Sequence, residues 1–567
     1  MMNSVNQTSA DFDAIVVGSG ISGGWAAKEL TEKGLKVLVL ERGKMILHGV
    51  DYKTEHLPPW EKPYGGKPLR DLYASEYAIQ SKNFNFDETT RHFFINDKDN
   101  PYQQARPFTW TRADVLGGKS LLWSRQVYRW SDLDFEANQK DGHGIDWPIR
   151  YKDIKDWYSY VEDFAGVSGE ALGLDHLPDG VFQKPMALNV VEKALKQNIE
   201  RHYPDRILTI GRTAVQTEPK NGRGACHYCG PCERGCSAGA YFSSLSSTLP
   251  AAEKTGNLTI RANSIVEKLE VDPQSKKVSA VNIVDTETGE RLRFSSKLVF
   301  LCASAMASNQ IMLNSRSETF PNGIANGSGT LGRYIMDHYG DAIFAVMPGF
   351  DDRYYSGNRP NNFYIPRFRN LANQSDEHDF LRGYGFQGAA MRSNWSMMAG
   401  QVPGFGARLK HGLMRPGPWI VFLGGFGEQL PQRSNRVSID PHKRDRFGVP
   451  QIRFDVSFGE NEARLRSDMV ATATEMLEQA GGVHINSFSH NKVPGDAIHE
   501  VGGARMGHST SDSVLNAYNQ AHEVANLFVT DGACMTSASC VNPSLTFMAL
   551  TARAADYAVT QLQAGAI

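Results

Sequence analysis

A short apolar run, Asp13-Ala-Ile-Val-Val17, ends abruptly in Gly18-Ser-Gly-Ile-Ser-Gly23. Apolar residues at helical spacing continue to Leu30, Gly34 stops them, and Lys36–Leu40 forms a second apolar run ending at Glu41. Strand, turn, helix and strand in this order form the unit that builds a parallel sheet. Residues 45–105 are rich in Pro, Gly, Tyr and charge and predict an irregular excursion, after which comes a glycine-rich element, Leu116-Gly-Gly-Lys-Ser-Leu-Leu-Trp123. Residues 151–220 read as mixed and partly helical. Leu258–Ile260, Ser264–Val271, Val278–Val284 and Leu298–Cys302 alternate or run apolar between turns, as strands do. Residues 340–460 are strand-like, aromatic and proline-punctuated, with no helix predicted. Beyond His499 the pattern predicts a strand at Leu527–Val529 and a long helix from about Ser544. The chain shows no internal repeat and no low-complexity tract.

At 567 residues more than one core is expected. Lys plus Arg (60) and Asp plus Glu (62) nearly cancel, leaving a net charge of −2. That balance gives no nucleic-acid footprint and no strong adhesion to anionic lipid. No apolar run is long enough to span a bilayer, and Met1–Phe12 lacks the basic and apolar regions of a secretory signal. By itself the chain reads as soluble and cytoplasmic, or as exported folded with a partner that carries the signal.

Gly18, Gly20 and Gly23 fit G-x-G-x-x-G directly after a strand and at the opening of a helix. The first glycine permits the tight turn, the second lets the backbone approach a pyrophosphate, and the third lets helix and strand pack closely. The helix amino terminus then offers unpaired N–H groups to phosphate, and Glu41 is placed to accept hydrogen bonds from a ribose. A glycine turn without a ligand is the bland alternative. The motif predicts a dinucleotide site and leaves FAD and NAD undistinguished.

Two carboxy-terminal blocks carry candidate chemistry: His499-Glu-Val-Gly-Gly-Ala-Arg-Met-Gly507, and Asn542-Pro-Ser-Leu-Thr-Phe-Met, which opens a helix. Taken singly, His499 reads as a structural histidine and Asn542 as a cap before Pro543. Together with the amino-terminal turn, Leu116–Ser120, Asn263–Val271, Leu298–Leu313 and Asn435–Asp440, they resemble the glucose–methanol–choline (GMC) oxidoreductases over nearly the whole chain. The resemblance implies a flavin-dependent oxidoreductase that holds FAD between the two ends of the chain. It implies that neutral His499 takes a hydroxyl proton while hydride passes from the same carbon to flavin N5, and that Asn542 holds the hydroxyl. An imidazole suits that task because its ordinary pKa lies close to operating pH. By the same resemblance Gly117, Gly118 and Ser120 lie near the flavin and Asp531 meets its ribityl chain. The backbone at Val266 reads the adenine, and Asn542 and Thr546 complete the cofactor set. Leu122 stands where some sugar-oxidising relatives carry the histidine that bonds covalently to FAD, so noncovalent flavin is expected.

Cys226-x-x-Cys229-x-x-Cys232-x-x-x-Cys236 has ferredoxin-like spacing, except that Ser237 replaces the usual proline. A structural zinc site and a local disulfide are the alternatives. The segment resembles the iron–sulfur loop of dehydrogenase members of the family, where Cys226, Cys232 and Cys236 match the ligands of a three-iron cluster. Cys229 is extra and leaves a four-iron cluster open. An iron–sulfur relay favours a dehydrogenase over an oxygen-using oxidase. Cys302, Cys534 and Cys540 sit among apolar or small residues and read as buried and structural.

The fold expected is α/β: a FAD-binding Rossmann-like domain of GMC type with an inserted β-rich substrate-binding domain. Residues 11–58, 104–135, 222–335 and 491–567 are assigned to the first, 136–221 and 336–490 to the second, and 59–103 to the excursion. Tyr354, Tyr355, Asn361, Asn362, Phe363, Tyr364, Trp395 and Trp419 suit a carbohydrate substrate, or alternatively form an ordinary β-rich core. The resemblance is greatest to bacterial sugar dehydrogenases of the glucoside 3-dehydrogenase, glucose dehydrogenase and gluconate 2-dehydrogenase types, with oxidation of a glucoside at C3 preferred. It further implies a small accessory subunit, a cytochrome c acceptor and a periplasmic location by co-export. A protein kept only for flavin binding or electron transfer is the rival reading from another class, and His499 with Asn542 argues against it.

Overall fold

The computed structural model describes residues 12–351, 359–371, 378–392, 404–414 and 416–567. Phe12–Val17 lies inside a six-stranded sheet between Val37–Leu40 and Ser296–Leu301, parallel to both. Leu258–Arg261 extends the sheet on one side, and Val524–Val529 with Gln520–Ala521 on the other. Helices Ile21–Glu32 and Ser544–Gln563 pack together, with the first also against the strands. The antiparallel ribbon Ser264–Val271, Val278–Asp285 and Arg291–Phe294 also packs on the sheet. Strands buried in this way read as continuous apolar runs, which is why Ala14–Val17 and Val37–Leu40 stand out in the sequence.

A second six-stranded sheet is antiparallel throughout. Its order is Val483–Asn491, His338–Met347, Trp419–Glu428, Tyr384–Arg392, Phe363–Ile365 and Thr209–Ile210. Helix Glu460–Gln479 lies across it, brought close because a Cβ on Gly425 would stand 2.1 Å from the Met469 sulfur. A five-stranded sheet links the two halves, with Val501–Gly503 paired to Arg333–Met336 and Arg436–Arg444 next in line. The α/β domain with a β-rich insertion is thus the architecture observed.

Two differences from the pattern stand out. Helix Gly406–Met414 lies in the stretch expected to be free of helix, and none of its residues is buried, so it adds no apolar face to the pattern. The 45–105 excursion is mostly short turns, but it does contain one helix, Arg70–Glu76. Of the aromatic and amide residues expected to face substrate, Phe363, Tyr364, Trp419 and Asn361 are buried, the three aromatics at 0–1 % exposure. The ordinary-core reading holds for them. Tyr354, Tyr355 and Trp395 lie outside the described residues.

Candidate active site

The glycine turn does the packing work its spacing predicts. Gly18 has φ +94°, and a Cβ there would meet the Cys302 carbonyl oxygen at 2.5 Å. A Cβ on Gly23 would fall 1.9 Å from the Gly18 oxygen, so helix and strand close only on glycine. Gly20 differs: its missing Cβ faces nothing within 4 Å and opens on a long cavity. That empty cradle beside a helix amino terminus is the shape a pyrophosphate requires. Glu41 is buried on the cavity wall. It accepts from Ser19 N (3.1 Å), Ser19 Oγ (2.5 Å) and Gly43 N (2.7 Å), so it braces the turn itself, and burial pushes its carboxyl up.

Gly118 (φ +53°) faces Gly20 across the cavity entrance, and Gly117 (φ +91°) supplies the bend behind it. Ser120 Oγ donates to the Gly117 oxygen at 2.6 Å and accepts from Ser244 N at 3.0 Å. Val266 and Asp531 also line the cavity. Asp531 accepts from Ser308 Oγ (2.5 Å) and Ala533 N (2.9 Å), and burial raises its carboxyl to about 6. Leu122 lines the wall as a buried apolar side chain. Thr546 does not join this set. It is fully buried, its hydroxyl 2.8 Å from Tyr158 Oη, while Ser544 and Phe547 of the same helix reach the cavity. Gly18, Gly20, Glu41, Gly118, Ser120, Val266, Asp531 and Asn542 line the cavity, while Gly23 and Gly117 shape the backbone behind it.

At the other end His499 and Asn542 meet, with Asn542 Nδ2 3.3 Å from His499 Nε2. His499 keeps part of its surface on the cavity, yet its ring is closely surrounded. Burial, then the nearby His338 and Lys119, hold its pKa well below the ordinary imidazole value. Lys119 is engaged by Glu500 at 2.5 Å. The residue before the histidine, Ile498, has φ +61°, a strained conformation for a β-branched side chain. Asp337 holds this loop by accepting from Gly495 N (2.7 Å), Ala497 N (3.3 Å) and His499 N (3.1 Å). Burial and the Glu500 charge raise its carboxyl to about 7.

Four groups here escaped the sequence. His338 Nδ1 lies 2.8 Å from His499 Nδ1, Gln387 Nε2 donates to Asn542 Oδ1 at 2.5 Å, Asp337 anchors the loop, and the Phe426 ring lies 5.7 Å from that of His499. The strand pairing explains the first. Met336 sits opposite Val501 at the end of an antiparallel pair, which brings the residues that follow it, Asp337 and His338, close to the segment before Val501 that carries His499. The signal available was the polar pair Asp337-His338 following the apolar Ile335-Met336, both of its residues buried.

The four cysteines of the spaced loop lie near one another. All four thiols are free, Cys229 is exposed, and Cys226 and Cys236 pack against Met186, Ile210, Val215 and Ala240. Desolvation raises the thiols of Cys226, Cys229 and Cys232, the last to about 11. Among the described residues no three His, Cys, Asp or Glu side chains are grouped to hold a metal ion. As placed, two of these thiols lie against apolar side chains and one faces solvent.

The family model described as GMC oxidoreductase matches residues 12–339 with its amino-terminal part and 431–551 with its carboxy-terminal part. A 2-methyl-1,2-propanediol dehydrogenase of Mycolicibacterium austroafricanum is 28% identical, with 97% of this chain and 96% of that one aligned. The fructose dehydrogenase large subunit of Gluconobacter japonicus is 25% identical over 98% of each chain. The gluconate 2-dehydrogenase flavoprotein of Pantoea cypripedii is 24% identical over 95% and 92%. Among solved structures, pyridoxine 4-oxidase from Mesorbium loti superposes with a TM-score of 0.59 at 16% identity, covering 97% of this chain and 99% of that one, a likeness of fold.

Proposed function

The chain belongs to the GMC oxidoreductase family, and from that premise we propose that it oxidises a secondary hydroxyl of a carbohydrate to the carbonyl. C3 of a glucoside, giving a 3-keto sugar, is the position we favour, and an external acceptor rather than oxygen takes the electrons. The observation that carries the reading is the His499–Asn542 pair, 3.3 Å apart on the wall of the cavity that the glycine turn also lines. A substrate oxygen set between them donates its proton to Nε2 and accepts from the Asn542 amide. FAD, when bound, supplies the two-electron acceptor for the adjoining C–H bond. Gly18, Gly20, Gly118, Ser120, Val266 and Asp531 are the groups that would hold it. Asn542 has no proton to exchange at ordinary pH, so it orients the alcohol while His499 acts as base. Phe426 and Trp123 offer apolar faces to the C–H surface of a sugar ring, and Gln126 offers an amide to its hydroxyls.

Three relatives are, by name, dehydrogenases of a diol, of fructose and of gluconate, which supports a polyhydroxylated substrate. The large-subunit name of one supports a small accessory subunit here, and the reading extends to co-export to the periplasm and a cytochrome c acceptor. Among the described residues no helix is long and apolar enough to cross a membrane. The spacing of Cys226, Cys229, Cys232 and Cys236 supports electron exit to an external acceptor. The test is dye-linked turnover across glucosides, glucose, fructose, gluconate and 1,2-diols, with the oxidised carbon read by NMR. The expected result is a 3-keto glucoside with slow peroxide formation in air. Faster turnover with oxygen than with dye, or no turnover on any polyol, would overturn the reading.

A further inference from the structure

His499 is a base at Nε2 only if its one proton sits on Nδ1, and free imidazole has no need to place it there. The hydrogen bonds around it settle the matter in one direction. His338 Nε2 lies 3.3 Å from the Ala538 carbonyl oxygen, and a carbonyl only accepts, so Nε2 of His338 carries the proton. Neutral His338 therefore presents a lone pair at Nδ1, 2.8 Å from His499 Nδ1. That contact requires the proton on the His499 side. The far end of the line agrees: Gln387 Nε2 donates to Asn542 Oδ1, which turns Asn542 Nδ2, a donor, toward His499 Nε2, an acceptor. One backbone carbonyl thus fixes the direction of every bond from Ala538 to Gln387.

We propose that His338 is a positioning residue: its Nδ1 lone pair holds the Nδ1 proton of His499 and so keeps Nε2 of His499 unprotonated, as the base. The proposal rests on the reading of His499 as the base. When Nε2 takes the substrate's hydroxyl proton, His499 becomes a doubly protonated cation whose Nδ1–H still points at His338, and no proton moves along the line. His338 is suited to stay neutral beside that cation, because burial lowers its pKa to about 4. The charged groups around the pair are Lys119 with Glu500 and the Asp337 carboxylate on the His499 backbone; the Phe426 ring packs against both imidazoles. His338 opens the strand His338–Met347, where it pairs with Glu428, so the contact is made from a fixed strand end rather than from a loose segment.

The test uses ring-15N-histidine protein, with the His499 signals assigned by their loss in H499A. The expected spectrum shows Nδ1 of His499 protonated and Nε2 unprotonated; the reverse would overturn the proposal whatever any variant does. His338→Leu removes the acceptor and is expected to lower kcat by ~10²-fold with KM and flavin content little changed. His338→Asn keeps an oxygen near the Nδ1 position and is expected to stay within ~10-fold of the parent. Equal losses in both variants, or a kcat for His338→Leu equal to the parent's, would also overturn it. Failure of the parent to oxidise any polyol would instead defeat the functional reading, and the 15N spectrum would still decide the tautomer.

Discussion

The side-chain amide of Gln387 donates to Oδ1 of Asn542 at 2.5 Å, and so joins the β-rich insertion to the catalytic end of the FAD-binding domain. Asn542 can present either its oxygen or its nitrogen to substrate, and Gln387 selects the nitrogen. Losing a hydrogen bond between neutral groups costs about 0.5–1.5 kcal/mol, and an amide free to turn loses part of its orienting effect as well. Gln387→Leu is therefore expected to lower kcat/KM about tenfold. Steady-state kinetics check it; an unchanged value would show that Asn542 is oriented by other means.

The glycine turn separates two kinds of effect. Gly20→Ala adds a Cβ that meets no protein atom within 4 Å but points into the cavity where the pyrophosphate approaches. The apo protein should keep its melting temperature, while flavin affinity falls by tenfold or more, on the order of 1.4 kcal/mol. Gly23→Ala places its Cβ 1.9 Å from the Gly18 oxygen, and it should destabilise the apo fold itself by about 1–3 kcal/mol. Thermal melts with and without FAD distinguish the two.

The lowered pKa of His499 has a sign that kinetics can read. A base works when neutral and is lost as pH falls through its folded pKa. Burial holds that value well below 6.5, so kcat/KM should stay level as pH falls through 6.5. An unperturbed imidazole would already lose about tenfold one unit below its pKa. A rate profile with an acid limb at 6.5 would contradict the burial described for this ring.

Asp337 and His338 pull stability in opposite directions. The Asp337 carboxyl is raised from 3.8 to about 7, so the native state holds an extra proton between those values and stability falls as pH rises through that window. His338, lowered to about 4, makes stability rise with pH between 4 and 6.5. The two offset each other below 6.5, which hides both in the parent protein. In Asp337→Asn the first contribution is removed, so its stability relative to the parent should improve as pH goes from 5 to 8. Denaturant melts at the two pH values check the sign.

How much of this is legible in the sequence depends on whether the cause is local. Gly18, Gly20 and Gly23 are legible because strand, turn and helix lie in one stretch, and Ala14–Val17 reads as buried because the strand is packed on both faces. His338 and Gln387 are not, because their side chains reach His499 and Asn542 across 161 and 155 residues of chain. Thr546 shares a helix with Ser544 and Phe547, but helical rotation turns it toward Tyr158 while those two face the cavity. Phe363, Tyr364 and Trp419 have the chemistry of a sugar site, yet their strand positions send them into the core. Cys226–Cys236 has the spacing of a cluster, but Met186 and its neighbours offer apolar packing that spacing does not reveal.

Turnover of His499→Ala, measured with a dye acceptor on protein whose flavin content has been determined, tests most directly whether this cavity oxidises alcohols. Loss of the general base should lower kcat by roughly 10²–10⁴-fold, with flavin still bound at the parent's stoichiometry. Near-normal turnover in that variant would contradict the assignment of His499 as the base.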